Sequence, residues 1–201
     1  MAAGRLELIH ADILTLPTNY SLLTTNYKVV ANLPYYITGQ FLRTFLSREQ
    51  QPSSMTLLLQ KEVAKRIVAA DGRESLLSIS VKACGTPRYV DTVKAGSFSP
   101  PPKVDSAILT IEHISKKFFE VQPQESASRL NLEGTEKRFF VLLKKGFAHP
   151  RKLLSSHLEA APEELARCGI PQKARAENLS REDWKCLARA ARLTARLSRG
   201  K

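Results

Sequence analysis

Glycine is sparse in this chain, and its nine glycines nowhere stand one residue apart as G-x-G. A backbone cradle that folds around a phosphate or a nucleotide cofactor through a glycine turn is therefore not written in the sequence. Cysteine is scarcer still. Cys84, Cys168 and Cys186 lie far apart without CxxC or Cys/His ligand spacing, which argues against a disulfide framework and against a zinc or other metal site. Reduced thiols are the expectation. Long apolar runs are missing too: no window approaches the roughly 18 apolar residues of a membrane span. The opening MAAGRLELIHAD carries charges where a secretory signal needs an apolar core. A soluble cytoplasmic protein without membrane contact is expected.

What is present is a core and an excess of positive charge. With 201 residues, 43% of them hydrophobic, the chain can bury one sizeable core or a medium domain with a small one. Thirty-one Lys and Arg face 19 Asp and Glu, a formal charge of +12, and a polyanion is the first partner such a balance suggests. The excess is uneven. Residues 1–115 carry +3 and residues 116–201 carry +9, so the C-terminal part is the stronger electrostatic footprint.

Periodicity divides the chain. Leu6–Ile9, Lys28–Ala31 and Met55–Leu59 read as short strands, the second a continuous apolar run of the kind buried on both faces of a parallel sheet. Val63, Ala64, Ile67 and Val68 then follow at helical spacing, with Lys61, Lys65 and Arg66 on the opposite, solvated face. Strands alternating with helices predict an α/β layer architecture. Arg88–Lys94 and Val104–Ile111, joined by AGSFSPPP, predict an antiparallel pair. Residues 115–136 are polar, broken by Pro123 and Gly134, and read as a linker. From residue 137 to 201 the apolar spacing is helical throughout, through Phe139, Leu143, Leu154, Leu158, Trp184 and Leu187.

The densest chemistry sits in Asn32-Leu33-Pro34-Tyr35, at the end of the second expected strand. Loops at the carboxyl ends of parallel strands are where open α/β sheets bind ligands. Pro34 has a fixed φ and no N–H, and it pushes Leu33 into an extended conformation, so the turn is stiff. Asn32 offers a side-chain acceptor, the turn offers carbonyls, and Tyr35 offers a flat face. Two acceptors and a ring suit a planar base with an exocyclic amino group. Hydrogen bonds accepted from both hydrogens of an adenine amine would favour a pyramidal nitrogen with an available lone pair, while stacking holds the ring at roughly 1–3 kcal/mol. As a bare string the motif is equally compatible with a strand-capping turn and a core tyrosine.

HADIL at 10–14, NLPYYIT at 32–38, LLLQKEVAKRI at 57–67, FSPPPKVDSAIL at 98–109, FAHPRKLLSSHL at 147–158 and RAENLSREDW at 175–184 occur in the order seen in the small-subunit rRNA adenine N6,N6-dimethyltransferases. The chain resembles that family over nearly its whole length, and the family shares its architecture with the erythromycin-resistance rRNA methylases. The resemblance implies a Rossmann-like S-adenosylmethionine-dependent methyltransferase domain at 1–114, here incomplete at its N-terminus, a linker at 115–136 and a small all-helical RNA-binding domain at 137–201. It implies dimethylation of adjacent adenosines of small-subunit rRNA in the pre-30S particle by a monomeric enzyme. Asn32, Leu33, Pro34 and Tyr35 would be the catalytic motif, with Phe98 packing on the other side of the target base. Asp12 and Asn32 would contact the cofactor. Lys103, Arg151, Lys152, Arg189, Arg192 and Arg196 would face the RNA. Bland alternatives stand beside these roles: Asp12 as a turn cap, Phe98 as a core anchor, Lys103 as a solvated charge, and part of the Arg189–Arg199 stripe as a complement to a helix end.

The chain also departs from the family. Members begin with a segment covering the site, a strand leading into a glycine-rich cofactor loop, and a strand ending in an acid for the ribose, none of which is found here. An N-terminally shortened form is the expectation, with Leu6–Ile9 left without neighbours and an apolar edge bared on the strand ending at Asn32. The competing expectation is a catalytically inactive rRNA-binding or ribosome-assembly fragment. Pro150, in FAHPRK, is expected to shorten the first C-terminal helix.

Overall fold

The computed structural model describes residues 6, 8–16, 26–120, 132–158 and 161–189. Strands β1 (Lys28–Asn32), β2 (Ser54–Gln60), β3 (Thr86–Val93) and β4 (Ser106–Glu112) form one sheet in the order β1-β2-β4-β3. β1 and β2 are parallel, as a crossover through helix α1 (Thr38–Ser47) requires. β4 runs antiparallel to both β2 and β3, which bears out the expected pair after the α/β unit.

Packing follows the sequence period. In β2 and β4 every second side chain is buried, with Met55, Leu57, Leu59, Ala107, Leu109 and Ile111 at 0% exposure. Helix α1 contributes Phe41, Leu42, Phe45 and Leu46, spaced to share one face. Helix α2 (Lys61–Val68) buries Ala64 and Ile67 and ends in a left-handed residue, Ala69. Helix α3 (Leu76–Lys82) begins with a reciprocal cap: Ser75 Oγ accepts from the Ser78 N–H, and Ser78 Oγ accepts from the Ser75 N–H.

β1 departs from its expected burial. Its residues alternate between exposed and half-buried, and Val30 is 83% exposed. The apolar run KVVA reads as buried on both faces, but in this sheet β1 has a neighbour on one side only. Leu6–Ile9 is likewise not a strand: its described residues lie outside any regular element, and Leu8 is 96% exposed. An apolar tetrapeptide with no strand beside it has nowhere to place its backbone hydrogen bonds.

The helical part consists of α4 (Leu132–Ala148), α5 (Leu154–His157), α6 (Pro162–Arg167) and α7 (Arg181–Arg189). α4 ends two residues before Pro150, as expected. The polar stretch read as a linker is shorter than its sequence suggests. A 3-10 turn at Lys117–Phe119 buries Phe119 against Phe139, and α4 already begins at Leu132. The aromatic pair outweighs the surrounding polar residues because each buried ring removes far more surface from water than a lysine must give up. Arg181 Nη1 donates to the Lys82 carbonyl, and the Glu74 N–H donates to the Glu177 carbonyl at 2.9 Å, so the helical part is tied to α3 and its approach. Where α4 meets α7, Gly146 lies against the Trp184 ring; a Cβ there would come within 2.2 Å of the indole.

The cysteines require a correction. Cys168 and Cys186 form a disulfide, with Cα atoms 5.8 Å apart, while Cys84 is a buried free thiol. Their separation of 18 residues carries no motif. The fold of the helical part, with Cys168 just past the end of α6 and Cys186 within α7, brings them together. No described helix is long and apolar enough to cross a membrane.

Candidate functional site

Strand direction gathers the motifs. β1 and β2 end where β4 starts and β3 ends, and Ser106 is in register with Gln60 on one side and Val93 on the other. The NLPY turn, the start of α2 and the loop carrying Phe98 therefore leave the sheet at the same end, the position at which open α/β sheets place ligands.

The turn is built from both backbone and side chains. The Leu33 N–H extends the ladder by donating to the Leu58 carbonyl at 3.1 Å, and the Leu33 side chain is buried in the core. The Leu33 side chain thus anchors the turn to the core and leaves only its backbone toward the end of the sheet. Asn32 is exposed at the tip of β1. The Pro34 carbonyl accepts the Ile37 N–H at 3.1 Å, closing a 3-10 turn over Tyr35–Ile37. One lone pair of that carbonyl is committed and one remains. Tyr35 is half-buried, its hydroxyl 2.9 Å from Ser106 Oγ, so the ring is fixed at both ends.

Across the sheet end, a 3-10 turn at Ala95–Ser97 leads into half-exposed Phe98, whose N–H donates to the Ala95 carbonyl at 3.2 Å. A cis Ser99–Pro100 bond follows. Asp105 binds this loop back to the sheet. Its Oδ1 accepts the Ala95 N–H at 3.1 Å, and its Oδ2 lies 3.4 Å from Lys61 Nζ and 3.5 Å from Lys94 Nζ. The Ala95 N–H foremost, helped by the two ammonium groups, holds the Asp105 carboxyl below the usual carboxylate range against the opposing effect of burial.

Sequence reasoning missed three of these groups. Lys61 is not on a solvated face: its ammonium turns to Asp105, while Lys65 and Arg66 are exposed as expected. Asp105 and Ser106 were within reach, because an Asp-Ser pair opens the alternating strand SAILTIE at the most family-specific motif. Lys103 is exposed beside them. In the helical part, Arg151 and Lys152 are exposed just past Pro150, and Arg189 closes α7; Arg192 and Arg196 lie outside the described residues.

Asp12 caps its own turn with one of its two carboxylate oxygens. Its Oδ1 accepts the Leu14 N–H at 2.9 Å and its carbonyl accepts from Thr15. Among the described residues no group of three His, Cys, Asp or Glu is placed to hold a metal. An open groove of about 320 Å³, lined by Ile170, Pro171, Lys173, Asn178 and Asp183, lies in the helical part, away from the end of the sheet.

The comparisons with known proteins agree with this arrangement. A family model described as ribosomal RNA adenine dimethylase matches residues 2–192. The chain is similar to ribosomal RNA small subunit methyltransferase A of Dehalococcoides mccartyi (strain BAV1), 43% identical over 90% of this chain and 61% of that protein. The protein of the same name from Thermosynechococcus vestitus is 36% identical over 94% of this chain and 70% of its own length. The chain thus spans about three-fifths of the length of the first of these relatives. In fold it is similar to the crystal structure of the 23S rRNA methyltransferase ErmE, with a TM-score of 0.64 at 22% identity over 96% of this chain and 72% of the other. A dimethyladenosine transferase from Plasmodium falciparum gives the same TM-score at 23% identity, over 82% and 69%. A mixed sheet with NLPY at the carboxyl ends of its parallel strands, an FSPPPKVDS loop leaving the same end and a family match over residues 2–192 lead to one assignment: the chain belongs to the ribosomal RNA adenine dimethylase family.

Proposed function

We propose that the chain acts in N6,N6-dimethylation of adenosines in small-subunit rRNA, and that the described residues are the base-holding half of that site. The observation that carries this reading is the acceptor pair of Asn32 and the Pro34 carbonyl beside a Tyr35 ring locked by Ser106. An adenine amine donating to both oxygens has its hydrogens drawn out of the ring plane, which localises the nitrogen lone pair. Positioning of this kind can contribute several kcal/mol to a barrier. A target in a loop or single strand suits the exposed tip, because its base can be splayed out without melting a duplex. One chain carries the acceptor pair and both rings, so the base-holding half needs no second copy, which fits a monomer. The excess basic charge suits rRNA in an assembling cytoplasmic 30S particle.

The methyl donor implied by the family is S-adenosylmethionine. Asp12, the acid for its adenine amine, takes the Leu14 N–H on Oδ1 and keeps Oδ2 free to accept, while no glycine turn for its methionine end is written in the sequence. The second reading is an rRNA-binding chain that carries the base slot without turnover.

Incubation with labelled S-adenosylmethionine and a 3′ small-subunit rRNA hairpin, followed by nucleoside mass spectrometry, separates the readings. Dimethyladenosine formation that Asn32→Ala abolishes, with RNA affinity within about twofold because phosphate contacts dominate binding, supports the first. Hairpin binding without any methylated nucleoside supports the second.

A further inference from the structure

Asp105 and Ser106 are adjacent in the chain yet bind opposite sides of the site. Ser106, 1% exposed, holds the Tyr35 hydroxyl from the floor of the sheet. Asp105 Oδ1 holds the Ala95 N–H, and the Ala95 carbonyl in turn holds the Phe98 N–H. The Asp105 carbonyl also accepts the Lys61 N–H at 3.1 Å, so the peptide itself is fixed to the start of α2. Three hydrogen bonds and one dipeptide thus form a continuous path from one ring to the other. Each ring alone has a mobile degree of freedom: Tyr35 can tilt about its side-chain torsions, and the Phe98 loop leaves the sheet for a dozen residues before returning.

Resting on the base-holding reading above, we propose that Asp105 and Ser106 are the positioning residues of the base slot, a two-residue brace that sets the placement of the Tyr35 ring relative to the Phe98 loop. A stacked base gains most when both rings are preset to its thickness, because ordering them at the moment of binding costs conformational entropy. The brace does this without touching the base. Its carboxylate has a second role: it gathers Lys61 and Lys94 beside the slot while cancelling one of their two charges, leaving a net positive rim for the RNA backbone.

The chemistry of the two residues makes the proposal separable from a general loss of fold. In Asp105→Asn the side-chain oxygen can still accept the Ala95 N–H, whereas Asp105→Ala leaves it without a partner. Amide exchange of residues 94–98 in the full chain should rise about tenfold in Asp105→Ala, the effect of one net hydrogen bond, and return to near wild type in Asp105→Asn. Ser106→Ala and Tyr35→Phe remove the same bond from opposite sides. At saturating protein, quenching of 2-aminopurine placed at the target position of the rRNA hairpin should fall in each by a similar amount, with the double variant no worse than either single one. Unchanged exchange in Asp105→Ala, or additive losses in the Ser106/Tyr35 cycle, overturns the brace. Absence of quenching by the wild-type chain, with exchange behaving as expected, instead removes the base-holding reading and with it the slot function of the brace.

Discussion

β4 and β1 have similar sequences and opposite fates. SAILTIE and KVVAN are both short, apolar and rich in branched side chains, yet β4 buries Ala107, Leu109 and Ile111 completely while β1 leaves Val30 83% exposed. The difference is neighbours. Among the described residues β4 is flanked by β2 and β3, and β1 by β2 alone. Apolar composition records what a strand can bury; the order of strands decides what it does bury.

The contrast is sharpest for truncation of a central side chain. Leu109→Ala should cost about 2–5 kcal/mol by removing methyl groups from a closed interior, read as a fall in the denaturant midpoint at unchanged m-value. A loss below about 1 kcal/mol would mean that the centre of the sheet is as loose as its edge.

A chemical probe extends the comparison to the cysteines. Cys84, buried between α3 and β3 in the chain, has its thiol pushed up to about 12, chiefly by burial, with Glu136 adding and Lys116 opposing. The thiolate is the reactive form. Iodoacetamide at pH 8 should therefore leave the native chain unmodified, add one group after denaturation without reductant, and add three after reduction, by intact mass. Two or more groups before reduction would refute the Cys168–Cys186 bond.

Acid should act at the end of the sheet before its centre. The folded Asp105 carboxyl lies below its ordinary value of 3.8, so its contribution is fully present above that value and is lost as pH falls through the depressed one. Amide exchange at Ala95 should stay flat from neutral pH to about 4 after correction for intrinsic rates, then rise below it. A rise centred near pH 6 would place another group in control.

The smallest effect belongs to the edge. Val30→Thr should change stability by no more than about 0.5 kcal/mol, since the side chain already stands in water, read as an unmoved denaturant midpoint. A larger cost would show that β1 is covered in solution.

The parts legible in the sequence were those decided by local period: β2, α2, the β3–β4 pair, the end of α4 before Pro150 and the apolar stripes of the helical part. Leu6–Ile9 failed because strand character in a tetrapeptide is realised only beside another strand. The disulfide failed because its cysteines are joined by helix packing and not by spacing. At the site, the NLPY turn was legible down to its stiffness, since Pro34 fixes it alone. The buried direction of Leu33 depends on the pairing of β1 with β2, and the turn of Lys61 toward Asp105 on register between strands about fifty residues apart, which no local pattern encodes.

α4 and α7 cross where Gly146 meets the Trp184 ring, and the spacing of the two helices is set by a hydrogen atom where any other residue would place a carbon. A single methyl group added there would have to displace the indole that fills the crossing, so the separation of the two helices is written in one missing side chain.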